Sequence, residues 1–111
     1  MFDLFGMMDK VNRLKEAVED VKHKLNDMLV EAESANGEVK VIANGQKHIR
    51  EINISDALLA ADRKEELEDL LVNTVNEALI KAGKLAKEET KKATEGLVPN
   101  IPGLDLSKFG L

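Results

Sequence analysis

Eight apolar residues near the start of the chain, Leu4, Met7, Val11, Leu14, Val18, Val21, Leu25 and Met28, follow one another at alternating intervals of three and four. Only a helix brings such a series onto one side, because 3.6 residues make a turn and a 3.5-residue repeat keeps returning to the same stripe. The residues between them, Lys10, Arg13, Lys15, Glu16, Glu19, Asp20, Lys22 and Lys24, are charged and mark the face left to water. The seam is short for a continuous two-stranded coiled coil, so it predicts a first helix packed lengthwise on another helix.

Past Met28 the pattern changes to a period of two. Leu29 to Ser34, Val39 to Ala43 and His48 to Ile54 read as three strands, with turns at Asn36-Gly37 and Asn44-Gly45. A four-residue loop from Asn44 to Lys47 predicts Lys40 opposite Glu51 and Ile42 opposite Ile49, whereas a two-residue loop would set Ile42 against Lys47. Either register puts Val39, Val41, Ala43, Ile52 and Ile54 on one face, beneath the helices.

Ser55-Asp56 opens a short turn through Ala57-Leu58-Leu59, and Asp62 with Glu65 three residues on has the form of a capping box. A second long helix is expected from about Asp62 to Thr94, roughly 50 Å at 1.5 Å per residue. Its apolar side is Leu67, Leu71, Thr74, Val75, Ala78, Leu79, Ala82, Leu85, Ala86 and Ala93. Six-residue strands reach only about 20 Å, so the helix must overhang the sheet. Helix 1, a second subunit or the tail has to cover the overhang. The open sheet edge also invites pairing, and a homodimer answers both problems. Residues 1–96 therefore read as one α+β dimerising domain, α-β-β-β-α with a three-stranded antiparallel sheet. Residues 97–111, with Pro99, Pro102-Gly103 and Gly110, read as an irregular, apolar tail.

The 111-residue chain has no cysteine and only two histidines, His23 and His48, far apart in the pattern. Nucleophile-base pairs, thiolate metal sites, phosphate loops and dinucleotide-binding glycine motifs are not found, so neither an enzyme nor a cofactor is expected. No apolar run approaches the roughly 20 residues that span a bilayer, and the N-terminus has no secretory pattern. A cytoplasmic protein with no membrane contact is expected.

A formal charge of −5 argues against a polyanionic partner, yet its distribution is uneven. The acids Asp62, Glu65, Glu66, Glu68 and Asp69 crowd the start of helix 2, while residues 81–94 carry five lysines against Glu88 and Glu89. At 100° per residue Lys84, Lys87 and Lys91 fall within a narrow arc flanked by Lys81 and Lys92, a stripe that can track phosphates. The ordinary alternative is a solvated helix face that complements its dipole. With no Trp or Tyr and only Phe2, Phe5 and Phe109, stacking on single strands has little support, and duplex backbone contact is the better variant.

The run Val39-Lys40-Val41-Ile42-Ala43-Asn44-Gly45, then Ile52-Asn53-Ile54, Ser55-Asp56-Ala57-Leu58-Leu59, Glu66-Leu67-Glu68-Asp69-Leu70 and Asn76-Glu77-Ala78, resembles the core of the YbaB/EbfC family. The likeness spans roughly residues 7–104. It differs in a charged, heptadic helix 1 and in Ser55-Asp56-Ala57 where the family has Asp-Pro-x. The resemblance implies a tweezer-shaped homodimer in the bacterial nucleoid that binds duplex DNA with little sequence preference. Lys81, Lys84, Lys87, Lys91 and Lys92, with Lys10 and Arg13 of helix 1, are the candidate contacts. The competing expectation is a protein-interaction module that docks a partner through the acidic start of helix 2 or the apolar tail.

Overall fold

The structure, a computed structural model, describes residues 4–95. The expectations for the 97–111 tail lie outside the described residues. Helix α1 spans Leu4–Asn26, strands β1, β2 and β3 span Leu29–Glu33, Val39–Asn44 and Ile49–Ile54, and helix α2 spans Lys64–Thr94 after two short 3-10 turns, Asp56–Leu59 and Ala61–Arg63. The strands form one antiparallel sheet in the order β1-β2-β3. The α+β class and the element order agree with the sequence reading.

α2 packs across β1 and β2. Where it does so its inward residues are small: Ala78 and Ala82 are wholly buried, as are Val39, Val41, Ala43 and Leu58. Alanines let the helix axis come close to the sheet, so β2 is sealed at the centre of the core. Val41 stands opposite Ile52 and Val39 opposite Ile54, which puts all four on one face as expected. On β3, however, Ile49 and Ile52 remain 38% and 43% exposed.

The β2-β3 register corrects the sequence reading. Lys40 faces Asn53, not Glu51, and Ile42 faces Glu51, not Ile49. The tip is a three-residue loop, Gly45-Gln46-Lys47: the Asn44 N–H donates to the His48 carbonyl at 2.9 Å and the Lys47 N–H to the Asn44 carbonyl at 3.0 Å. A register shift between Ile42, opposite Glu51, and Ala43, opposite Ile49, leaves Arg50 as one extra residue in β3. The positive φ at this tip falls on Lys47, at 65°, the left-handed position that closes a three-residue hairpin.

Asn44 and Gly45 serve a different purpose. The Gly45 N–H donates to the carbonyls of Leu25 and Met28, both at 2.9 Å. The wholly buried Asn44 accepts from the N–H groups of Gln46 and His48 at 3.0 Å and donates to the Asn26 carbonyl at 3.2 Å. Arg50 donates to the same carbonyl at 3.0 Å, and Gln46 donates to the carbonyl of Lys22. The hairpin tip thus brings donors to the carbonyls at the end of α1, where the Leu25 carbonyl also accepts from the Met28 N–H at 3.2 Å. A Cβ on Gly45 would stand 2.5 Å from Leu25 Cδ2, so only glycine permits this approach.

The start of α2 is a second correction. Asp62 is not its N-cap; Ala61–Arg63 is a 3-10 turn, α2 begins at Lys64, and Arg63 in the cap position makes no side-chain cap bond. Arg63 instead donates to both carboxylate oxygens of Glu38, at 2.8 Å each, and to those of Glu66, at 2.8 and 2.9 Å. This fork fastens the start of α2 to the β1-β2 turn and takes over the role assigned to the capping box.

Candidate functional site

The two helices run antiparallel where they meet. Lys81 reaches Glu31 of β1, Leu25 and Ala86 line one cavity, and Lys24 reaches Glu89, so positions descend from β1 back into α1 as those of α2 rise. The end of α2 and the body of α1 therefore form an arm beyond the hairpin tip. Leu14, Val18, Val21 and Leu25 of the seam are buried, which agrees with a helix packed lengthwise on another. Met7 and Val11 are exposed, at 44% and 39%.

Seven basic residues were candidates from sequence, and the structure separates them. Lys84, Lys87 and Lys91 are exposed and have no ion pair among the described residues. They occupy an arc of about 60° and span about 10 Å along α2. Lys81 is drawn back toward the sheet: its ammonium donates to the Glu31 carbonyl at 2.9 Å and lies 3.7 Å from Glu77. Lys92 is exposed but pairs with Glu89 at 3.7 Å. Lys10 and Arg13 stand on α1 about 21 and 16 Å before Lys24 along the axis, well past Glu89. Arg13 also pairs with Asp9 at 3.0 Å. They do not join the α2 stripe.

Sequence reasoning missed Glu89, which it counted as one of two acids on a basic segment. Its side chain is only 11% exposed and accepts from Lys24 at 2.9 Å. The Lys24 hydrogen bond holds its carboxyl below the usual carboxylate range against the opposing effect of burial, and Lys92 adds to the depression. Thr90 and Thr94, also buried, donate their hydroxyls to the carbonyls one turn back, at 2.6 and 2.7 Å. The last three turns of α2 thus have an inward face of a carboxylate and threonines and an outward face of lysines. Its hidden polar residues made that inward face illegible as apolar periodicity.

Among the described residues no group of three or more His, Cys, Asp or Glu is placed to hold a metal, and no helix is long and apolar enough to cross a membrane. Among the described residues the hydroxyls of Ser34, Thr90 and Thr94 donate to an amide oxygen or to helix carbonyls, none to a histidine. What the arrangement offers is a row of unpaired cations on a rigid helix, separated from the acidic first turns by most of the helix length.

Comparison with known proteins bears on this arrangement. Residues 1–97 match the model of the YbaB/EbfC DNA-binding family. A protein of Flavobacterium johnsoniae described as a nucleoid-associated protein is 36% identical over 103 residues, covering 93% of this chain and 95% of its own. One from Anaeromyxobacter dehalogenans, described in the same words, is 37% identical over 102 residues, covering 91% of this chain and 99% of its own. Among solved structures, an uncharacterized protein of Helicobacter pylori superposes with a TM-score of 0.60 at 23% identity, over 79% of this chain and 98% of that one, which shows a shared fold.

Proposed function

The chain belongs to the YbaB/EbfC DNA-binding family, and on that premise we propose that it is a nucleoid-associated protein of the bacterial cytoplasm that binds duplex DNA as a homodimer, mainly through the phosphate backbone. This is not an enzyme family, and the reading requires no catalytic group. One observation carries it: Lys84, Lys87 and Lys91 form an exposed row without acidic partners among the described residues, although the chain as a whole is negative. Lysine ammonium groups on a rigid helix suit phosphates, and their point charges carry little base-reading geometry. The acids at the start of α2 lie several Debye lengths away at physiological salt. They confine contact to the far end of the helix without abolishing it.

Residues 1–96 act as the dimerising unit in this reading, and the second copy covers Ile49 and Ile52 along the open β3 edge. Two copies then present two arms, which suits a tweezer around a duplex. Replacing Lys84, Lys87 and Lys91 together by Gln tests the contact. Fluorescence anisotropy with unrelated duplexes is expected to show a comparable loss for each, and the plot of log affinity against log salt is expected to flatten by about 0.9 per lost phosphate contact. Unchanged affinity and slope would return the stripe to a solvated helix face and leave docking of a protein partner as the function.

A further inference from the structure

Beyond the α2 stripe, a cavity of about 320 Å³ opens where the hairpin tip meets the two helices, lined by Lys22, Leu25, Gly45, Gln46, Lys47, His48 and Ala86. Three of these carry cationic or proton-binding side chains, and among the described residues no carboxylate lines the space. Lys22 is shared with the exposed Glu19 at 3.5 Å. The side chains of Lys47 and His48 have no hydrogen bond or ion pair among the described residues.

The backbone at Lys47 is the second observation. At φ 65° it is the one non-glycine residue described in the left-handed region, where the sequence would be less strained with Gly or Asn. Strain retained at one residue points to a use for its side chain. That side chain lies along α2, with Cε 3.6 Å from where a Cβ of Gly83 would stand. Gly83 is one turn before Lys87, so Lys47 continues the unpaired lysine row onto the hairpin.

The carbonyls that would repel an anion here are already occupied. Those of Lys22, Leu25 and Asn26 accept from Gln46, Gly45, and Asn44 with Arg50. The C-terminal end of the α1 dipole is thereby covered at the cavity wall.

We propose that the β2-β3 hairpin tip is a phosphate seat: Lys47, with Lys22 and His48 around the cavity, receives a backbone phosphodiester of the same duplex that lies along Lys84, Lys87 and Lys91. The inference rests on the duplex-binding reading. Its test is Lys47→Asn, since Asn accepts the left-handed conformation and leaves the fold unstrained. Thermal melting is expected to give an unchanged or higher midpoint. Anisotropy is expected to show about fivefold weaker duplex binding at 0.15 M salt, the size of one released counterion, and a salt slope flatter by about 0.9 for each seat engaged. Wild-type binding with an unaltered Lys47→Asn affinity and slope overturns the seat alone. A wild-type protein that does not bind duplex overturns the seat and the duplex-binding reading together. A Lys47→Asn protein that melts earlier makes Lys47 a structural residue and also overturns the seat.

Discussion

Asn44 and Gly45 tie the hairpin tip to the last turn of α1, Asn44 through its side chain and Gly45 through its backbone N–H. The pair lies at the end of β2, yet neither residue is described with a positive φ; Gly45 is glycine because Leu25 leaves no space for a Cβ. Replacing Gly45 by Ala is therefore expected to cost about 1–3 kcal/mol by overpacking, lowering the melting midpoint by about 4–8 °C for each kcal/mol. A calorimetric scan that matches wild type would show that Leu25 moves aside freely. Asn44→Ala leaves the N–H groups of Gln46 and His48 without their side-chain acceptor, while Arg50 still serves the Asn26 carbonyl, a loss of about 2 kcal/mol readable in urea denaturation. An unchanged midpoint at unchanged slope would mean that water replaces the side chain.

At the scale of elements, charge links the pieces that apolar burial leaves loosely joined. Glu66 is held below the ordinary carboxylate value by Arg63, and Glu89 by Lys24. A depressed folded-state carboxyl contributes stability that is fully present above its unfolded pKa and is lost as pH falls through its lower folded value. Denaturation midpoints are therefore expected to be flat from neutrality down to about pH 5 and to decline below the ordinary value near 4.5. Glu89→Gln and Glu66→Gln should each flatten that acid limb, and an identical limb in both variants would exclude these two contacts as its source. Glu89→Gln has a second consequence, because Lys24 and Lys92 lose their shared carboxylate. Duplex affinity should rise and the salt slope should steepen, measured by anisotropy at a pH where the fold is intact. An affinity that falls instead would place the lysines of the arm outside the contact.

The whole molecule is far from spherical, with extents of 72 × 25 × 16 Å and a radius of gyration of 19.4 Å, against about 13 Å for a compact chain of this length. An elongated monomer buries less of its apolar surface, and Phe5, Met7, Met8, Val11, Ile49 and Ile52 are left exposed. The proposed dimer covers part of this surface, and light scattering is expected to give about twice the chain mass of 12.2 kDa at micromolar concentration. Ile52→Asp puts a charge on the uncovered face of β3 and is expected to shift the protein toward monomer and weaken duplex binding with it. A fully dimeric Ile52→Asp would move the interface to another surface, the α1 seam first.

The two helices, the three strands and the lysine row are written in local periodicity, because chain geometry makes periodicity a matter of 3.6 or two residues. The family is legible in the sequence too, through motifs that shape the hairpin and the core. What those local features do was settled by packing between elements distant in the chain. The hairpin register followed from α1 docking on the tip: the last helical carbonyls need donors, and Asn44, Gly45, Gln46 and Arg50 supply them. Arg63 displaced the capping box because a carboxylate from the β1-β2 turn, Glu38, 25 positions earlier, comes within 2.8 Å of it. Which lysines stay free was decided the same way, by the carbonyl of Glu31 beneath Lys81 and the buried carboxylate of Glu89 beside Lys24 and Lys92. Pairing between side chains depends on distances across the fold, and a periodicity along the chain does not contain them.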